Sequence, residues 1–233
     1  MLDRLQCDNV LGHLVLTRIA ADLLDMTRLH QVSNHLMREG EQIERSLDKV
    51  VEAAVAISGA NKGYVQFVDP GSGTLALAAQ RGFDEHSLKL FQKVQETSGM
   101  GSAERMIVED LRADGKLPGQ LSRGLIDAGV CAVTSTPLLS STGNVLGIVS
   151  TLFDAPHYPD EREFRLIDLL ARQTADYLER KHAEKIQKTL VGEIRHRSNN
   201  LLAIIQAIAH RSLSGEHPLS EAGKAFEARL QAL

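Results

Sequence analysis

The apolar positions of this chain change period twice, and the changes divide it into three regions. Over residues 1–58 they recur three or four apart: Leu11, Leu14, Ile19, Leu23, Met26 and Leu29, then Leu36, Ile43, Leu47, Val50, Ala54 and Ile57. That spacing predicts helix, and Gly40 marks a break between two helices. From about residue 62 the period falls to two. Residues 64–68 alternate as a strand, Asp69-Pro-Gly-Ser-Gly73 supplies a turn, and residues 75–79 return, which predicts a hairpin. Further along, residues 87–94 read as a short helix, 106–108 as a strand, 121–128 as a helix and 131–139 as a strand. Ser141-Thr-Gly-Asn144 is a turn, and residues 145–153 form the last strand. The order β-β-α-β-α-β-β, flanked by helices, predicts an α+β domain with an antiparallel sheet.

After Asp160 the period is helical again. Phe164, Ile167, Leu170, Ala171, Ala175 and Leu178 share one face, and Ile186, Leu190, Ile194, Leu201, Ile205 and Ile208 carry the pattern on. Gly192 is a soft spot, costing about 1 kcal/mol against Ala, but no residue stops the helix before Gly215. Three-and-four spacing over many turns is the seam of a coiled coil. Ser214-Gly-Glu-His-Pro218 predicts a loop and Ser220 a cap. Ala222, Phe226, Leu230 and Leu233 then form one face of a second helix. So small a helical hairpin buries little surface alone, so a four-helix bundle with a second copy is expected.

Bulk properties narrow the function classes. At 233 residues the chain holds one large or two small domains, and 43% hydrophobic with 24% charged residues is a globular balance. A net charge of −4 gives no general nucleic-acid or anionic-membrane surface. No apolar run is long enough for a bilayer, and Met1 opens no signal segment. Cys7 and Cys131 lie far apart with no metal-ligand spacing, as in a reduced, cytoplasmic protein. A membrane anchor upstream of residue 1 stays compatible with this.

One segment carries candidate chemistry: Glu193-Ile-Arg-His-Arg-Ser-Asn-Asn200. His196 and Asn200 are four apart and share a helix face, which Ala203 and Ala207 extend with small side chains. A neutral imidazole is a competent nucleophile toward phosphorus near neutral pH. Arg195 and Arg197 offset phosphoryl charge, and Asn200 can bond phosphate oxygens or orient a water. An exposed histidine on a charged helix is more often a solvated side chain, and the residues alone leave both readings open.

The run Leu190-Val-Gly-Glu-Ile-Arg-His-Arg-Ser-Asn-Asn-Leu-Leu-Ala-Ile-Ile-Gln-Ala-Ile-Ala209 resembles the phosphoacceptor helix of HWE-type histidine kinases, whose core is Glu-Leu-x-His-Arg-x-Lys-Asn. The resemblance puts His196 at the phosphoacceptor, Arg197 at the following arginine and Asn200 at the asparagine. Phe226-Glu-Ala-Arg-Leu-Gln-Ala-Leu233 looks like the second bundle helix. Asn199 departs from the pattern, standing where the family has lysine. The family's ATP-binding domain, with its Trp-x-Glu motif, is expected beyond Leu233, and the chain has no Trp. The resemblance thus implies a sensor and dimerisation fragment that takes its phosphoryl group from ATP held by that missing domain.

Residues 28–180 resemble a GAF domain. The landmarks are Ala79-Gln-Arg-Gly-Phe83, Val108-Glu-Asp110, Ala128-Gly-Val130, Ser135-Thr-Pro-Leu138, Leu146-Gly-Ile-Val-Ser150 and Pro156-His-Tyr-Pro-Asp-Glu-Arg162. This implies a six-stranded antiparallel sheet backed by helices, with a small-molecule pocket whose ligand is unknown. Thr97-Ser-Gly-Met-Gly-Ser-Ala-Glu104 offers no cysteine for a bilin thioether. Gly99 and Gly101 are read as a turning loop in preference to a lid or phosphate nest, Cys131 as core packing, and His157 as a surface loop residue in preference to a ligand.

The expected organisation is a signalling helix over residues 1–27, a GAF sensory domain over 28–180 and a phosphotransfer hairpin over 181–233. The expected function is that of a homodimeric sensor histidine kinase passing phosphate to a response regulator aspartate. The alternative is a non-catalytic GAF ligand-binding module or adaptor. A GAF enzyme is a weaker reading, because the sheet region has no nucleophile–base pair.

Overall fold

The computed structural model describes residues 2–37, 43–69, 73–84, 103–113, 115–117, 119–213 and 228. Among the described residues, four helices, α1 (Leu2–Leu36), α2 (Ile43–Ser58), α3 (Gly119–Asp127) and α4 (Glu161–Leu213), accompany five strands. These are β1 (Lys62–Val68), β2 (Leu75–Arg81), β3 (Met106–Val108), β4 (Ala132–Leu139) and β5 (Val145–Phe153). The chain separates into two compact units, Met1–Glu179 and Arg180–Leu233.

In the first unit the strands form one antiparallel sheet in the order β2-β1-β5-β4-β3. The resemblance implied six strands, and among the described residues there are five. The helix expected over residues 87–94 and the glycines Gly99 and Gly101 lie outside the described residues. So do the loop at 214–218 and, apart from Ala228, the second hairpin helix.

Strand alternation sends successive side chains to opposite faces, and each face has its own core. On one face α1, α2 and α4 pack through Leu29, Leu47, Val50, Leu166 and Leu170 onto Val65, Leu138 and Val149. On the other, α3 and the segment after β3 bring Leu125 and Leu111 onto Tyr64, Val133 and Leu152. Turn chemistry closes the edges. Asp69 and Thr74 bond across the first hairpin at 2.8 Å, and Gly73 there has φ +70°. Helix α3 ends at Gly129 (φ +74°), whose N–H returns to Ile126 while that of Val130 returns to Leu125, the glycine stop of a helix.

The domain edges expected at 27/28 and 180/181 both fall inside helices. Helix α1 continues through residue 28 without interruption. Its exposed half carries Leu16, Ile19, Leu23 and Met26, while Leu29, Val32 and Leu36 are buried. One periodic stripe in sequence thus divides into a solvent-facing and a core-facing part. Helix α4 likewise runs 53 residues through Gly192.

Candidate functional site

The segment singled out in sequence lies wholly within α4. His196 and Asn200 stand side by side, with Asn200 Nδ2 3.3 Å from His196 Nδ1. One turn over, Arg197 bonds the carboxylate of Glu193. The four side chains form one polar patch, because residues three and four apart are neighbours on a helix. All four are exposed, as are Arg195 and Asn199.

Two arrangements satisfy the His196–Asn200 contact. If the Asn200 amide N–H donates to Nδ1, the ring proton sits on Nε2. If the amide is turned about and Oδ1 accepts from Nδ1–H, the lone pair of Nε2 faces solvent. Only the second leaves a nucleophilic nitrogen at the outer edge of the helix. Leu190, Ile194 and Leu201, exposed in the single chain, lie roughly 120–160° around the helix from His196, toward its opposite side.

The first unit holds polar groups where a sheet core normally holds apolar ones. Tyr64, Ser150 and Ser135 are cross-strand neighbours on β1, β5 and β4. All three are buried, and Ser135 Oγ and Ser150 Oγ are 2.7 Å apart. Burial pushes the Tyr64 phenol above its ordinary pKa, and hydrogen bonds with Ser150 and Ser135 pull the other way. Gln66, also fully buried, continues the row on β1. The sequence pattern alone does not single these residues out: Tyr64 and Gln66 alternate with Val65 and Phe67, but alternation does not say that the polar side is covered.

Cys131 is buried just before β4, with Sγ 3.7 Å from Asp110. Burial and that carboxylate push its thiol up, away from reactivity. His157 is half-buried rather than a surface residue: its ring stacks on Phe153 at 3.8 Å and Nε2 lies 3.0 Å from Glu163. Both partners are near in sequence, and the path of the loop between β5 and α4 decides that they meet. Among the described residues, no group of three His, Cys, Asp or Glu is placed to hold a metal, and no helix is long and apolar enough to cross a membrane.

An antiparallel sheet with helices packed on it is an α+β fold. The GAF domain family matches residues 41–179, and the chain belongs to that family. Residues 193–233, which begin at Glu193 of the polar patch, match the HWE histidine kinase family. Among solved structures, a domain assigned to a two-component sensor histidine kinase protein from Sinorhizobium meliloti 1021 is 23% identical, with TM-score 0.54 over 64% of this chain and 99% of that one. The GAF domain assigned to a sensor histidine kinase from Pseudomonas syringae pv. tomato is 15% identical, with TM-score 0.55 over 77% and 99%. A GAF domain from an Acinetobacter phosphoenolpyruvate-protein phosphotransferase gives 14%, 0.52, 69% and 95%. At such identities the likeness is one of fold. No curated protein matches the chain.

Proposed function

We propose that this chain is the sensory and phosphoacceptor part of an HWE-type sensor histidine kinase, and that His196 takes the phosphoryl group. The observation that supports this is the exposed His196–Asn200 pair within the segment matching the kinase family. Asn200, with Oδ1 toward Nδ1–H, holds the ring so that Nε2 faces outward. Nε2 attacks the γ-phosphorus of ATP held by a nucleotide-binding domain of the family. The P–N bond forms as the P–O bond to ADP breaks, and the ring keeps its proton on Nδ1. Arg197 and Arg195 offset the charge of the incoming group. The phosphoryl group then passes to an aspartate carboxylate of a response regulator, which places the chain in the cytoplasm.

Two further elements belong to this reading. The exposed stripe Leu190, Ile194 and Leu201 is covered in a homodimer by the same stripe of a second copy. A small-molecule signal binds the GAF domain over the polar row of Tyr64, Gln66, Ser135 and Ser150, and reaches His196 along α4. Radiolabelled ATP, a separately prepared HWE-family ATP-binding domain and this chain provide the test. Wild type should acquire acid-labile, base-stable label, and His196→Ala none. Equal labelling of both would sink the proposal.

A further inference from the structure

A cavity of about 440 Å³ opens between α1, α2 and the end of β2. It belongs to the helical side of the sheet, opposite the polar row of Tyr64, Ser135 and Ser150. It is therefore separate from the signal site proposed above. Its volume falls within the range of small-molecule sites.

Two kinds of surface meet there. Val32 and Ala53, only 5% and 4% exposed, give an apolar floor. Arg28 from α1, Lys49 from α2 and Arg81 from β2 give a cationic rim, and Glu52 is the one carboxylate among the lining residues. Asp25 engages Arg28 at 2.8 Å. Lys49 and Arg81 are left to share Glu52, at 2.8 and 3.9 Å. The rim thus keeps one positive charge in excess, in a chain whose net charge is −4. The Lys49 and Arg81 pairs are solvent-exposed, and such pairs are held by less than about 1 kcal/mol. Both cations can turn to a new anion at little cost. A guanidinium fork matches a carboxylate in particular.

We infer that this cavity binds a small organic anion, a carboxylate on an apolar body of about one ring. Arg81 and Lys49 hold the carboxylate, and Val32 and Ala53 carry the apolar body. The bound anion also lies beside Arg28, which joins Asp25, and Asp25 in turn joins Arg162 in the first turn of α4. Occupancy competes with Asp25 for Arg28, which leaves Asp25 to Arg162 alone and tightens the start of α4. None of this depends on phosphotransfer at His196.

Titration calorimetry of phenylacetate into the full chain tests the inference, with phenylacetamide and inorganic phosphate as comparisons. Phenylacetate should bind, and the neutral amide and bare phosphate should bind at least about tenfold more weakly. The double variant Lys49→Gln/Arg81→Gln changes two exposed side chains, so its melting curve should match wild type while phenylacetate affinity falls about tenfold or more. Amide exchange in residues 161–164 should fall when phenylacetate is added. No phenylacetate binding, equal binding by the double variant, or equal binding of the amide or of phosphate overturns the site. Unchanged exchange at 161–164 overturns its link to α4.

Discussion

Arg162, in the first turn of α4, closes an ion pair with Asp25 of α1 at 2.5 Å across 137 residues of sequence. Asp25 is 4% exposed and is also held by Arg28, while Arg162 reaches a second carboxylate on Asp22. The pair fastens the helix that enters the domain to the helix that leaves it. Removing one partner of a buried pair leaves a charge without its counter-ion, which costs more than the pair contributes. Because Arg28 still serves Asp25, we expect Arg162→Ala to cost about 2 kcal/mol, below the 3–5 kcal/mol of a fully buried pair. A urea denaturation midpoint unchanged from wild type would show that the two helices are held by apolar contacts alone.

A pH dependence follows from Glu163. Burial pushes its carboxyl above the ordinary 4.5, and the His157 hydrogen bond draws it partly back. The folded state therefore holds this proton more tightly than the unfolded chain. Its contribution to stability is complete below the unfolded value and is lost as pH rises through the folded one. Glu163→Gln keeps the shape and removes the titration. Midpoints measured from pH 4 upward should fall more steeply for wild type than for the variant, and parallel curves would contradict the assignment.

In the proposed phosphotransfer, Asn200 orients the acceptor ring through its contact with Nδ1 and does not touch phosphorus. Asn200→Ala should leave His196 able to accept phosphate, at a rate lowered about tenfold, equivalent to about 1.4 kcal/mol of lost positioning. Asn200→Asp accepts from Nδ1–H as the amide oxygen does, and should restore most of the rate. If alanine and aspartate slow labelling equally, orientation of the ring is not what Asn200 supplies.

Gly147 sits where β5 passes β1. A Cβ there would lie 2.1 Å from the carbonyl oxygen of Gln66 and 2.9 Å from the Cα of Phe67. Both are backbone atoms in the middle of a sheet, so neither turns aside. Gly147→Ala should destabilise the domain by about 3 kcal/mol, the upper end of ordinary overpacking. Gly143→Ala, which meets nothing within 4 Å but has φ +84°, should cost less. Thermal melting of the two variants decides the order.

The class of fold was readable because periodicity and turn chemistry are local. Alternation in residues 64–68 and the glycine-containing turns set the hairpins, and the run from Asp160 set the long helix. The polar patch was readable for the same reason: His196 and Asn200 meet through helix geometry, and no distant part of the chain is needed. Apolar spacing does not say which stripe is covered, so Ile19 and Leu23 read like Leu29 and Leu36 although only the latter pair is buried. His157 read as a loop residue because its partners, Phe153 and Glu163, are supplied by a strand end and a helix start.

By itself, then, the sequence determined the alternation of helix and strand, the turns, and the neighbours of His196, all of which depend on residues within a few positions of one another. The tertiary structure alone decided that Asp25 meets Arg162, that Tyr64, Ser135 and Ser150 form one buried row, and that Arg28, Lys49 and Arg81 ring one cavity. Each of these joins residues from different elements, and the distances that create their chemistry exist only once the sheet and its helical layer have packed.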